Sequence, residues 1–228
     1  MTRRLLMLGT AALTLVAVTA AQSPSQAPAP ARKPADPRSI TFRGDRFKPL
    51  TYDEMTPSQK RLLENVLATP RGGAAEGPFN VLLRSPEMGD DGQRFGANRF
   101  ATQVPRRLWE LAILVTARHW TSQFEWYAHE RGALNAGLSP AICNAIKEGQ
   151  RPTSMQPDEE AVYNFSTELL ETKQVSDRTF NTIKATLGER GLVDLIGVLG
   201  WYGTVSMLLN VDRYPLPAGV PPVLKPLK

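Results

Sequence analysis

Thiols and imidazoles are scarce in this 228-residue chain: Cys143 is its only cysteine, and His119 and His129 are its only histidines. A single cysteine excludes an intrachain disulfide, so the core must hold together by packing. Two histidines leave little for a metal. His129-Glu130 is followed by Ala133 where a zinc-type HExxH helix needs its second histidine, so only a folded meeting of His119, His129 and a carboxylate remains. The expectation is a site without metal. No alternating apolar–polar strand pattern and no internal repeat is found, which points to an all-α protein.

An excess of basic charge is also missing from most of the chain. The formal net charge is +5, but Arg3 and Arg4 account for two charges, and residues 21 to 48 carry six Lys/Arg against two acids. Residues 49 to 228 are left at −1, with no basic stripe for nucleic acid. Arg3 and Arg4, an apolar run over residues 5 to 17 and small residues at 18 to 21 follow the pattern of a secretory signal peptide, residues 1 to 21. The apolar run is shorter than a membrane span needs. The expected protein is therefore exported, periplasmic or secreted, with no stable membrane insertion after leader cleavage. Residues 22 to 48 read as a disordered Pro/Ala-rich tether, residues 49 to 214 as one helical domain, and residues 215 to 228 as a Pro-rich arm.

Within the domain, Thr56-Pro57-Ser58-Gln59 combines an N-cap, a proline at the first helical position and a capping-box glutamine, which predicts a helix over 57 to 68. Ser85-Pro86 opens a second segment whose Gly89, Gly92 and Gly96 argue against regularity. After Pro105, Leu108, Leu111, Ala112 and Val115 recur at helical spacing, and Ser139-Pro140, Pro157 and Ser176-Asp177 precede further periodic runs. Residues 192 to 209 are apolar on nearly every side, with Asp194 the lone charge. That pattern reads as a helix enclosed by protein, with Gly197, Gly200 and Gly203 allowing a second helix close, and hence as an oligomer. Six to eight helices in one domain are expected.

The candidate site lies where two of these helices meet. Ser122, Glu125 and His129 stand at i, i+3 and i+7, on one face of a helix starting near Ser122, and Glu110 lies one helix earlier. If the helices pack together, the Glu110 carboxylate reaches the His129 imidazole, raises its proton affinity and fixes its orientation. The same Ser122-x-x-Glu125 spacing also forms a capping box, so helix capping and chemistry are both open for these two residues. Trp109, Trp120, Trp126 and Tyr127 crowd the region as core or as walls that exclude water.

The segments LWELAILVTARHW at 108 to 120 and FEWYAHERGALNAGLS at 124 to 139, with Trp201-Tyr202 and Leu208-Leu209-Asn210 later, resemble the central helices of the carboxymuconolactone decarboxylase family. That family includes the alkyl hydroperoxidase D proteins, and the likeness covers roughly residues 56 to 214. It implies an alkyl hydroperoxidase D-like all-helical fold and a homo-oligomer, a trimer or hexamer. In the thiol branch of the family a glutamate, two cysteines and a histidine form the site. Glu110 matches the glutamate, His129 the histidine, and Ser122 and Glu125 occupy the cysteine positions. A thiol peroxidase needs a thiolate to attack and a second thiol to resolve, and neither is present. Cys143 reads as a small core residue.

The decarboxylase branch needs no thiol and no cofactor. The resemblance implies a lyase or isomerase acting on a small carboxylated lactone or ring acid, with His129 moving the proton and Glu110 orienting it. Glu125 shares the catalytic role, while Ser122, Arg118 and Trp126 are the candidate substrate contacts. The alternatives are a peroxidase of the alkyl hydroperoxidase type and an exported, non-catalytic small-molecule binder.

Overall fold

Thr56 starts the first long helix through a reciprocal capping box: its N–H donates to Gln59 Oε1 at 2.8 Å, and Gln59 N–H donates back to its hydroxyl. The computed structural model describes residues 35–69 and 75–226. The expected signal peptide, residues 1 to 21, and residues 22 to 34 of the expected tether lie outside the described residues. Among the described residues there are eight α-helices and no strand: α1 Pro57–Leu67, α2 Phe79–Leu82, α3 Pro86–Ala97, α4 Arg106–His119, α5 Gln123–Asn135, α6 Pro140–Lys147, α7 Pro157–Thr172 and α8 Asp177–Asp212. They make one all-helical domain.

α4 is the axis around which α5, α6, α7 and α8 pack. Every residue from Leu108 to Arg118 is buried, so this helix is covered on all sides. Among its buried polar groups, the Thr116 hydroxyl donates to Ala112 O at 2.8 Å. Arg107 at its start ion-pairs with Asp158 (2.7 Å) and Glu159, which ties α4 to the first turn of α7.

α3 is regular despite its glycines, because each makes room for a neighbour. A Cβ at Gly89 would stand 2.6 Å from Leu62, and at Gly92 and Gly96 it would stand 2.7 and 2.3 Å from the Trp201 indole. The packing of Trp201 across α3 offsets the ~1 kcal/mol that each glycine costs in a helix.

Two features mark α8. It is two helical segments joined at Gly188, whose φ of 68° and ψ of 173° only glycine adopts without strain. It is also not enclosed: Val193 is 65% exposed, and Ile196, Gly200, Met207 and Val211 lie exposed along the same face. The helix is long and apolar enough to cross a membrane by length and composition, yet its other face is buried against the domain. Within the chain, Gly197 and Gly203 are approached by Phe95 and Trp120 side chains, not by a second helix backbone. Asp194 accepts from Thr102 Oγ1 at 2.6 Å and fastens the loop before α4.

Residues 35 to 48 of the expected tether are fastened to the helices. Pro37–Ser39 form a 3-10 turn, Phe42 is buried, and Asp45 N and Phe47 N donate to Asp212 Oδ1 at 3.2 and 2.8 Å. Asp212 is fully buried at the end of α8, and these donors compensate its carboxylate. At the other end, the Pro-rich arm crosses the corner between α4 and α5. Val223 N and Leu224 N both donate to Gln123 Oε1 at 3.0 Å, and Gln123 Nε2 returns a bond to Leu224 O at 2.7 Å.

Candidate functional site

The turn between α4 and α5 decides the site. Ser122 N donates to Ala117 O at 2.8 Å and Thr121 N to Arg118 O at 3.0 Å, the paired bonds of a Schellman motif. Thr121 takes the left-handed position with φ of 49°, strained for a β-branched residue. So tight a connection turns α5 back along α4 and sets His129 opposite Glu110.

The two side chains meet. His129 Nδ1 lies 2.8 Å from Glu110 Oε2, and His129 Nε2 lies 3.1 Å from Glu125 Oε1, one turn earlier on α5. Both carboxylates are buried, and the imidazole side chain is 17% exposed. The Tyr202 ring meets the imidazole edge to face at 4.9 Å. Burial pulls the His129 pKa down, but its contacts with Glu110 and Glu125 and their negative charge outweigh this and raise it to about 9. At neutral pH the ring is an imidazolium between two carboxylates.

Gly132 makes the Glu110 contact feasible. A Cβ there would stand 2.6 Å from Glu110 Oε1, so any larger residue on this face of α5 would displace the carboxylate.

The triad forms part of the wall of a cavity of about 400 Å³. Trp109 and Phe124 give it apolar faces, and Arg99 and Arg106 bring positive charge. Arg106 Nε is 3.5 Å from Glu110 Oε1, one helical turn away. Arg99 donates to Gly96 O and stacks 4.1 Å over Phe100, with Trp109 and Tyr202 within 6 Å, while its Nε is buried without a partner. These arginines were not among the residues singled out in the sequence. The available signal was Arg106 at i−4 from Glu110, on the same helix face.

The other sequence candidates divide. Glu110, Glu125 and His129 come together, and the capping alternative for Glu125 gives way because its carboxylate turns to His129. Ser122 begins α5 without a side-chain cap bond, and its buried Oγ has no partner among the described residues. Trp126 is fully buried in the core. Neither lines the cavity. Arg118 is a correction: it donates to Lys225 O at 2.6 Å and lines a different, smaller cavity with His119. It stands eight residues beyond Glu110, about 12 Å along the helix axis at 1.5 Å per residue.

Cys143 is buried in α6, and burial pushes its thiol up to about 11, the reverse of what a peroxide-reducing thiolate needs. Among the described residues no group of three or more His, Cys, Asp or Glu side chains is arranged for a metal ion. Comparison with family models, with curated proteins and with solved structures finds no match to this chain.

Proposed function

We propose that this protein is a cofactor-independent decarboxylase, or a related lyase or isomerase, acting on a small carboxylated lactone or ring acid. The observation that carries the reading is the imidazole of His129 held between Glu110 and Glu125 at the wall of a cavity that two arginines also line. The likeness of residues 108 to 139 to the carboxymuconolactone decarboxylase family supports the same chemistry.

A ring acid stacks against Trp109 and Phe124, and Arg99 takes its retained acid group or the oxygen that becomes an enolate. The departing carboxylate is set against the apolar wall, where loss of hydration disfavours its charge. As the C–C bond breaks, carbon dioxide leaves and the electron pair stays on the ring carbon. The Nε2 proton of His129 then passes to that carbon, and solvent restores it. Glu110 holds the ring orientation through Nδ1, and Glu125 holds Nε2 until substrate displaces the contact. An isomerase keeps the carboxylate: Glu125 removes a proton from one ring carbon and His129 returns one to another.

Two further parts of the proposal concern setting. The leader pattern of residues 1 to 21 supports export, and the exposed apolar face of α8 supports a homo-oligomer with that face as its seam.

The test is carbon dioxide release from a panel of small carboxylated lactones and ring β-oxo acids, compared with the His129→Gln and Glu125→Gln variants. Turnover that falls at least 100-fold in His129→Gln is expected. If nothing in the panel reacts, and His129→Gln changes only the melting temperature, the protein is a binder and not a lyase. Peroxide consumption surviving Cys143→Ala would instead require redox chemistry by another route.

A further inference from the structure

On the far side of the α4 C-terminus lies a second cavity, of about 110 Å³, lined by Arg118 and His119 from α4, Tyr163, Thr167 and Glu171 from α7, and Gln150. Its unusual member is Arg118. This residue is only 5% exposed, yet its guanidinium meets neutral acceptors alone: Lys225 O at 2.6 Å and Thr121 Oγ1 at 3.3 Å. Its Nε is buried with no partner. Among the described residues no carboxylate stands within ion-pair distance of it; Glu148 acts on it from farther off and pairs with Lys225 at 3.5 Å.

A buried guanidinium without a counter-ion is costly, because two neutral bonds do not replace the hydration of a charge with five donors. The same cavity is lined by further residues that carry donors: the hydroxyls of Tyr163 and Thr167, the Gln150 amide and the His119 ring. The one acid in the lining, Glu171, is exposed. The space suits a few heavy atoms and no more.

We propose that this cavity binds a small oxyanion, a carboxylate of the size of acetate or bicarbonate, with the Arg118 guanidinium as its cation. The bound anion completes the ion pair that the described residues leave open. Because Arg118 also holds Lys225 O, occupancy fixes the C-terminal arm to the end of α4. The site is separate from the Glu110–His129 cavity, and its existence does not depend on the reaction assigned there.

The two histidines make the test direct, since each lines one cavity. The full-length protein is titrated with sodium acetate against sodium chloride at equal ionic strength, following Tm and the imidazole Hε1 resonances. The expected result is a Tm rise that grows with the logarithm of acetate concentration and reaches about 3 to 6 °C at ten times the Kd, with the His119 resonance moving saturably and the His129 resonance still. Arg118→Gln removes the response, and Glu171→Gln strengthens acetate binding by taking away the competing charge. No rise beyond chloride, or a shift at His129 in place of His119, overturns the proposal. So does a folded Arg118→Gln protein that responds like the wild type. Should that variant fail to fold, the His119 shift in the wild type and its change in Glu171→Gln decide the matter.

Discussion

Raising the pH from 6.5 to 9 should unload the His129 triad and cost the protein stability that no other shifted group among the described residues supplies in that range. The imidazole pKa rises from 6.5 to about 9 on folding. At 1.36 kcal/mol per unit, the protonated ring contributes about 3 kcal/mol. A folded pKa above the unfolded one means that this contribution is complete below pH 6.5 and is lost as pH climbs through 9. Within that window the free energy of unfolding should fall by nearly 1.4 kcal/mol per pH unit. Other groups titrate elsewhere. Burial, with Lys173, lowers the His119 pKa below 6.5, so its effect appears as pH falls. The Cys143 thiol, pushed from 9.0 up to about 11, matters only above the window. Urea denaturation followed by tryptophan fluorescence at half-unit steps measures the slope. His129→Gln should flatten it, and Glu110→Gln should reduce it. A flat wild-type profile, or an equal slope in His129→Gln, would refute the assignment of an imidazolium held by two carboxylates.

Gly132→Ala tests the same contact from the opposite helix. Its Cβ would stand 2.6 Å from Glu110 Oε1, so the carboxylate must leave; the His129 pKa should drop by about one unit in an Hε1 titration, with a stability loss of about 1–3 kcal/mol. An unchanged titration would show that Glu110 does not hold the ring. Ile196→Glu puts charge in the middle of the exposed face of α8 and should convert the assembly to monomers by light scattering. A monomeric wild type would remove the homo-oligomer from the proposal.

Local signals in this sequence carry more of the structure than long-range ones. Thr56 with Gln59, Ser139 and Ser176 each cap the helix their spacing predicts, because capping depends on atoms within three residues. The Glu110–His129 pair was legible for a related reason. The turn joining its two helices is short, so few geometries are open to it. Arg99 was not legible, since a 3-10 turn after α3 gives no hint that it will face α4. Hydropathy marks α8 as a helix enclosed within an oligomer, and how many of its sides one chain covers depends on neighbours that hydropathy does not give. α4 sits between α5, α6, α7 and α8, while α8 lies at the edge with one face bare.

That central position explains why an ionic triad can persist in so buried a place. Glu110 stands on the most enclosed helix of the domain, where a lone carboxylate would be driven to neutralise. His129 provides the counter-charge, Glu125 keeps it protonated from the other side, and Gly132 leaves the gap through which the contact is made. Removing one carboxylate should not unfold the site, because the other still stabilises the imidazolium. Removing the imidazole leaves two buried carboxylates facing each other, with Arg106, 60% exposed, at 3.5 Å from Glu110 as a poor substitute. His129→Leu should therefore destabilise the protein more than Glu125→Gln does, an order that a triad serving only as helix cap and filler would not produce.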